Sequence, residues 1–594
     1  MPGPIRGEVE KAKNFNIAIK RMIKELKPFY APTIIATLFA SIGSIIAIIT
    51  PNKLSELTDE IALGLTSTMN FEAIWGIVIV VGVLFVVSLV FEIIEAFLMT
   101  NVSNNFARML RNLISEKINR LPLRFFDNHQ TGDTLSRVTN DIDSVAQSLN
   151  ESLSTLVSAI TLLVGVIIMM FITNGIMAIT SIISGLIGFA FVFFVLKRSQ
   201  KYFSARQREL GNLNSHIEEI YSGLNVVKAY NGKKESDQKF DKLNKKVYDA
   251  NRKSQFLSGL MPPMMGFIGN LGYVAVCVVG AILVVNHAIT FGSIIAFIIY
   301  VRMFTSPLSQ IAQALNYLQL SAAASERVFE FLDTPEMPDQ SNATMYLDKN
   351  KVKGKIEFKH VKFGYNKDRM IIKDFSASVK PGQKIAIVGP TGAGKTTTVN
   401  LLMKFYDINS GDITIDDVSI NNLKRENVHE LFTMVLQDTW LFSGTIKENI
   451  IYNRSHITDA RVKEVCDTIG LTHFIKTLPK GFNSEISENE SVSAGQRQLL
   501  TIARGMVEDA PFLILDEATS NVDTRTEELV QRAMDKLMQG RTSFIIAHRL
   551  STIKNADLIL VMKDGNIVES GKHNELIKKD GFYASLYNSQ FQNA

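Results

Sequence analysis

The sequence predicts two unlike halves: an α-helical six-span transmembrane domain, then an α/β P-loop domain with a mostly parallel sheet. Three observations predict it. Six stretches of about 20 apolar residues fill the first half. Apolar strands and helical patterns alternate from residue 354 to about residue 592. One of those strands runs straight into GPTGAGKTT at 389–397.

Composition fits this division. The chain has 594 residues, too many for one domain, with 46% hydrophobic and 20% charged residues. A net charge of +5 is small for this size and does not indicate nucleic acid as a partner. Cys277 and Cys466 lie in different halves without metal or redox spacing, so both read as free thiols. The first 28 residues are polar and basic, without the pattern of a cleavable signal peptide.

The expected spans are 29–50, 73–99, 153–173, 176–197, 262–287 and 291–310. Thr50-Pro51 should end the first, and Thr173-Asn174-Gly175 should join the third and fourth. Arg6, Lys11, Lys13, Lys20, Arg21, Lys24 and Lys27 precede the first span, and 100–152 and 198–261 are rich in Lys and Arg. The opposite loops are poor: 51–72 sets Lys53 against Glu56, Asp59 and Glu60. The positive-inside rule then places both termini and the two long segments in the cytosol, in a multi-pass protein of the cytoplasmic membrane.

Both long segments carry helical patterns well beyond a bilayer. Their tips, 122–133 and 221–232, bear Phe125, Phe126 and Tyr230, which favours docking on another domain over solvated loops. Within the spans, Glu92 and Glu95 share a helix face near the inner end, where interfacial solvation explains them; Arg302 is read in the same way. Met261-Pro262-Pro263 should interrupt helix bonding near the start of the fifth span. The expected domains are a cytosolic segment 1–28, a transmembrane domain 29–320, a linker 321–352 and a nucleotide-binding domain 353–594. GKIEFKHVKFGY at its start reads as one strand followed by a second.

The soluble half carries the chemistry. Residues 389–396 satisfy G-x-x-x-x-G-K-[ST] between a buried strand, KIAIVG, and a helix, TTTVNLLMKFY. Glycines let backbone N–H groups wrap phosphates, Lys395 reaches the β- and γ-phosphates, and the Thr396 hydroxyl ligates Mg²⁺. A chance glycine-rich turn would not be flanked in this way. PFLILDEATS puts Asp516 and Glu517 at a strand's carboxyl end, Asp516 to hold the metal through water and Glu517 to polarise the attacking water. Gln437, His548 and Tyr365 each follow a strand and suit metal or water, γ-phosphate, and adenine respectively; each taken alone is more often structural.

In their order these residues resemble the ATP-binding cassette (ABC) exporters of the six-span half-transporter type. The A-loop aromatic is Tyr365, Walker A is 389–396, the Q-loop residue is Gln437 and the signature is 492–496. Walker B is 512–516 with Glu517 beside it, the D-loop is Ser520–Asp523, and His548 follows. FFDNHQTGDTLSRVTNDID at 125–143 looks like the family's first cytoplasmic loop. The resemblance implies ATP and Mg²⁺ as cofactors, with nucleotide contacts from Tyr365, Gly389, Thr391, Gly392, Ala393, Gly394, Lys395, Thr396 and Thr397. It adds Ser493, Gly495, Gln496 and Asp523 through the signature and D-loop. It implies metal contacts from Thr396, Gln437 and Asp516, and catalysis by Glu517, His548 and Gln437.

The signature, SVSAGQ at 491–496, should close on ATP held by a partner's P-loop, so the chain must dimerise. Val492 and Ala494 depart from the usual LSGGQ, and DEATSNVDTRTE resembles the hydrolytic half of heterodimeric multidrug exporters. Val492 is a mild apolar swap, and Ala494 is either tolerated variation or the mark of a pair with unequal sites; with the second stretch, a heterodimer with a second half-transporter chain is favoured over a homodimer. The expected activity is ATP-driven efflux of hydrophobic or amphipathic small molecules through the lipid bilayer. A lipid or lipid-linked sugar flippase is the alternative; a regulatory membrane ATPase that moves nothing is the alternative of another class.

Overall fold

All six apolar stretches lie in helices long and apolar enough to cross a membrane. The computed structural model describes residues 14–66, 68–129, 131–341, 343–366, 369–436, 439–486, 492–516, 524–546 and 553–591. The chain divides into two compact units. One comprises 1–121 and 129–336; the other comprises 122–128 and 337–594.

In the membrane unit the spans are parts of longer helices. Phe71–Arg120 has 50 residues and Gly175–Ser222 has 48. At about 1.5 Å per residue each exceeds 70 Å, more than twice a hydrocarbon core of about 30 Å. Asn70, Asn174 and Thr290 cap three of the span helices, each side chain accepting from the backbone N–H three residues on. Ile48, Val166, Met170, Val276, Phe297, Tyr300 and Phe304 form a shared core between the helices.

Pro51 does not end the first span. The helix runs from Tyr30 to Thr66 with Pro51 inside it. An interior proline costs roughly 3 kcal/mol, and here the continuation is held from the sixth-span helix. The Tyr300 hydroxyl donates to Asn52 Oδ1 at 2.9 Å and reaches the Ile48 carbonyl at 3.3 Å, while the Gly292 N–H donates to Asp59 Oδ1 at 2.7 Å. The prolines at 262 and 263 do break the run: one helix ends at Gly259 and the next, Met261–Val285, opens on them. The sixth-span helix continues to Leu332, so 321–332 is helical, with Ala322, Ala324, Val328 and Phe331 buried. At the tip of the second long segment, Tyr221, Val226 and Tyr230 are exposed.

Among the described residues the second unit has twelve strands: β1 Ile356–Phe363, β2 Ile372–Val379, β3 Lys384–Val388, β4 Ser410–Ile415, β5 Val418–Ser419, β6 Phe432–Val435, β7 Gly444–Thr445, β8 Glu485–Ile486, β9 Phe512–Asp516, β10 Thr542–Ile546, β11 Leu558–Lys563 and β12 Asn566–Gly571. Ten form one sheet in the order β5-β4-β1-β2-β12-β11-β3-β10-β9-β6. The stretch β11-β3-β10-β9-β6 is parallel, and the β1, β2, β4, β5 flank is antiparallel. The two strands expected in GKIEFKHVKF are one, β1, kinked by a register shift between Phe358 and Val361 where His360 takes a φ of 48°.

The parallel strands are buried on both faces. Alternate residues of β3 enter opposite cores, Ile385 and Ile387 one, Ala386 and Val388 the other; β9 divides likewise, with Phe512 and Ile514 against Leu513 and Leu515. Helix Lys395–Leu402 contributes Val399, Leu401 and Leu402 to the first core. Helix Ala494–Glu508 contributes Leu499, Leu500 and Ile502 to the second. The two helices therefore cover opposite faces of one sheet.

Candidate functional site

Four parallel strands end at one edge. In register, Ile387 of β3 lies opposite Ile546 of β10, Ile546 opposite Asp516 of β9, and Leu515 of β9 opposite Val435 of β6. Each is followed within one or two residues by a motif: the P-loop after Val388, Glu517 after Asp516, His548 after Ile546 and Gln437 after Val435. Gln437, Glu517, Asp523 and His548 lie outside the described residues; the strands that lead to them do not.

The P-loop needs its glycines. A Cβ on Gly389 would sit 2.3 Å from the Met562 carbonyl oxygen, and one on Gly394 would sit 2.7 Å from Ile372 Cδ1, with φ already at +103°. Ala393 is buried, whereas Thr391 and Gly392 face outward. Lys395 is the first residue of the following helix. Its Nζ folds back to donate to the carbonyls of Gly389 at 2.7 Å and Pro390 at 3.1 Å. Burial pushes its pKa down, and the Asp516 carboxylate partly restores it. The loop thus carries a poorly solvated cation at a helix N-terminus, an anion-binding arrangement.

Thr396 is exposed beside this cation. Thr397 is turned inward, its hydroxyl 3.3 Å from that of Tyr365. The Tyr365 ring meets Phe363 and Tyr406 edge-on, with centroids 5.0 and 5.1 Å apart. Among the described residues no three His, Cys, Asp or Glu side chains gather to hold a metal by themselves. An exposed Thr396 hydroxyl, an Asp516 carboxylate and the oxygens of a bound triphosphate do suit Mg²⁺, which keeps several waters.

The signature loop is made differently. Ser493 caps helix Ala494–Glu508: its Oγ accepts from the Gln496 N–H at 3.2 Å, and Gln496 Oε1 accepts from the Ser493 N–H at 3.0 Å. Val492 packs against the core below, Gly495 is buried, and Ser493 and Ala494 are exposed. The loop offers a hydroxyl, backbone amides and a helix dipole.

The family description "ABC transporter transmembrane region" matches residues 33–308, and "ABC transporter" matches 372–520. A "Fatty acid ABC transporter ATP-binding/permease protein" of Mycobacterium tuberculosis is 47% identical over 483 residues, 80% of this chain and 75% of that protein. This chain belongs to the ABC transporter family.

Within that family, a Bacillus subtilis protein named "Probable multidrug resistance ABC transporter ATP-binding/permease protein" is 33% identical over 517 residues, 86% of this chain and 76% of its own. The structure of a bacterial Atm1-family ABC exporter with ATP bound matches with a TM-score of 0.72 at 25% identity, covering 95% of this chain and 98% of that one. The chain is an ABC exporter: a multi-pass membrane protein that binds and hydrolyses ATP.

One part of the exporter's ATP unit comes from the tip at 122–128. Helix Leu123–Asn128 groups with residues 337–594. The Tyr406 hydroxyl donates to Asp127, and Arg124 donates to Asn366 Oδ1 at 3.3 Å. With Asn128, Tyr365 and Asn400 these residues line a cleft of about 320 Å³. Burial, then the Asp127 contact, raises the Tyr406 pKa well above the usual phenol range. The tip groups with the sheet domain, as its aromatics suggest; the Phe125 and Phe126 rings meet edge-on at 5.4 Å, and Arg124 and Asp127 supply polar contacts. Tyr406 was missed; its signal was an aromatic pair, Phe405-Tyr406, just beyond the P-loop helix.

Proposed function

We propose that this chain is one half of a dimeric exporter that moves hydrophobic and amphipathic small molecules out across the cytoplasmic membrane by alternating access. Mg-ATP is held between the P-loop of one chain and the signature of the other. Lys395 and the loop amides bind the phosphates, and Tyr365 supports adenine. Thr396, Gln437 and Asp516 hold Mg²⁺, and Glu517 with His548 directs the attacking water. When bound, the metal supplies charge neutralisation between the β- and γ-phosphates. The observation that carries this reading is the placement of the P-loop helix and the signature helix on opposite faces of one sheet.

The N-terminus and the ATP unit are cytosolic on this reading, and residues 1–28, 29–320, 321–352 and 353–594 act as cytosolic segment, translocation domain, linker and motor, the linker starting as the last turns of the sixth-span helix. ATP drives the cycle only through its greater affinity for the closed pair. Ala494 favours a heterodimer: its exposed methyl lies where a partner's γ-phosphate would approach, so the site this chain completes is the weaker of two. The names of the two relatives span acyl and drug-like cargo, and both classes share an apolar body.

The test is Glu517→Gln. The variant binds ATP and stays closed, with turnover reduced by about 100-fold. Turnover equal to the wild type would remove Glu517 from its role. Co-purification with a second chain supports the heterodimer, and an active dimer of identical chains rejects it.

A further inference from the structure

The nucleotide cycle makes no use of Arg302, the cation of the sixth-span helix. Arg302 lies eleven residues after the helix start at Phe291. That is about 16 Å along the axis, half of a hydrocarbon core about 30 Å thick. The interfacial solvation expected for it does not suit this depth. It suits Glu92 and Glu95, which lie 21 and 24 residues along Phe71–Arg120. The Arg302 side chain is exposed, and among the described residues no carboxylate pairs with it.

Arg302 heads a polar stripe. Ser306, Ser309, Gln313 and Asn316 follow at four, seven, eleven and fourteen residues, all exposed, on one helix face. The other face carries buried Phe297, Val301, Phe304 and Ala314. Gln313 and Asn316 lie at the far end of a core about 30 Å thick, so the stripe leads from the interface to Arg302; facing lipid, the Arg302 guanidinium would be left unsatisfied, and facing a water-filled path it would not. The neighbouring helix places Tyr273 at the same level. A Cβ on Gly272 would lie 3.3 Å from Val301 Cγ1, so the two helices touch one residue away from both. Tyr273 and Arg302 are both exposed, each one residue beyond that contact. Phe267, Leu271, Val274 and Val278 on that helix are exposed apolar wall.

We propose that Arg302 and Tyr273 form a headgroup site for an amphipathic carboxylate, reached from the helix's C-terminal end along the polar stripe. The guanidinium fork matches a carboxylate in two parallel hydrogen bonds, the phenol adds a third, and the apolar wall takes the chain. A midplane cation disfavours cationic cargo by the same charge. The proposal rests on the reading of the chain as an exporter of amphipaths and narrows its substrate class.

The experiment uses the full chain with its co-purifying partner in lipid nanodiscs. It compares ATPase stimulation by palmitate, hexadecanol and a hexadecyl ammonium cation, with binding of radiolabelled palmitate. Palmitate stimulates the wild type. Arg302→Gln weakens palmitate binding about tenfold or more and leaves basal turnover and the hexadecanol response unchanged. Arg302→Lys restores part of the binding, and Tyr273→Phe gives a smaller loss. Equal palmitate binding by wild type and Arg302→Gln overturns the site, as does a wild type stimulated by the cation alone; both leave the export reading standing. A wild type whose turnover no amphiphile alters overturns the export reading and the site together.

Discussion

The P-loop and the signature loop both end in a helix N-terminus, yet they are built by different means. The P-loop brings a buried cation, Lys395, and glycines at positions where a side chain would collide with Met562 or Ile372. The signature brings Ser493 in a closed capping box, with Gly495 not among the glycines at positive φ. On the proposed reading, the first holds a triphosphate and the second completes a site on the partner chain. Their helices feed opposite cores of one sheet. A chain with one loop of each kind suits a face-to-face pair.

Several substitutions break or sharpen that contrast. Lys395→Ala removes the cation and should lower ATPase turnover by about 100-fold or more, measured as phosphate release. Tyr365→Ala should weaken ATP binding by about tenfold, the scale of one base stacked on an aromatic ring, by calorimetry on the hydrolysis-deficient variant. Ser493→Ala should lower turnover by about tenfold while leaving nucleotide affinity of the open form unchanged. It also removes a helix cap worth about 1 kcal/mol, so Ser493→Asp separates the two effects. Aspartate caps well but repels phosphate, and its turnover should fall below that of the alanine variant. Tyr406→Phe should have the smallest effect. It deletes the hydrogen bond to Asp127 and should leave ATP affinity unchanged while reducing substrate stimulation of turnover by about twofold.

The strands and the P-loop were legible because their signals are local: an apolar run, a glycine loop and a helix in adjacent residues. The six spans were legible because a bilayer imposes a length on each. What escaped depended on distant partners. Pro51 reads as a helix end until Tyr300 and Asp59 tie the continuation to the sixth-span helix. The Tyr406–Asp127 contact joins residues 279 apart. The depth of Arg302 needed the helix start at Phe291, and its stripe needed the burial of the opposite face. Glu517, Gln437 and His548 rest on the sequence and on the strand ends that precede them.

The central claim is that ATP bridges two chains. The measurement is the distance between spin labels on two paired ATP units, one at the exposed Asn574 of this chain and one on the matching surface of its partner, in the Glu517→Gln variant with and without Mg-ATP. The account predicts a single short distance with nucleotide and a longer, broader distribution without it. A distribution unchanged by nucleotide, or full ATPase turnover by a strict monomer, would contradict it.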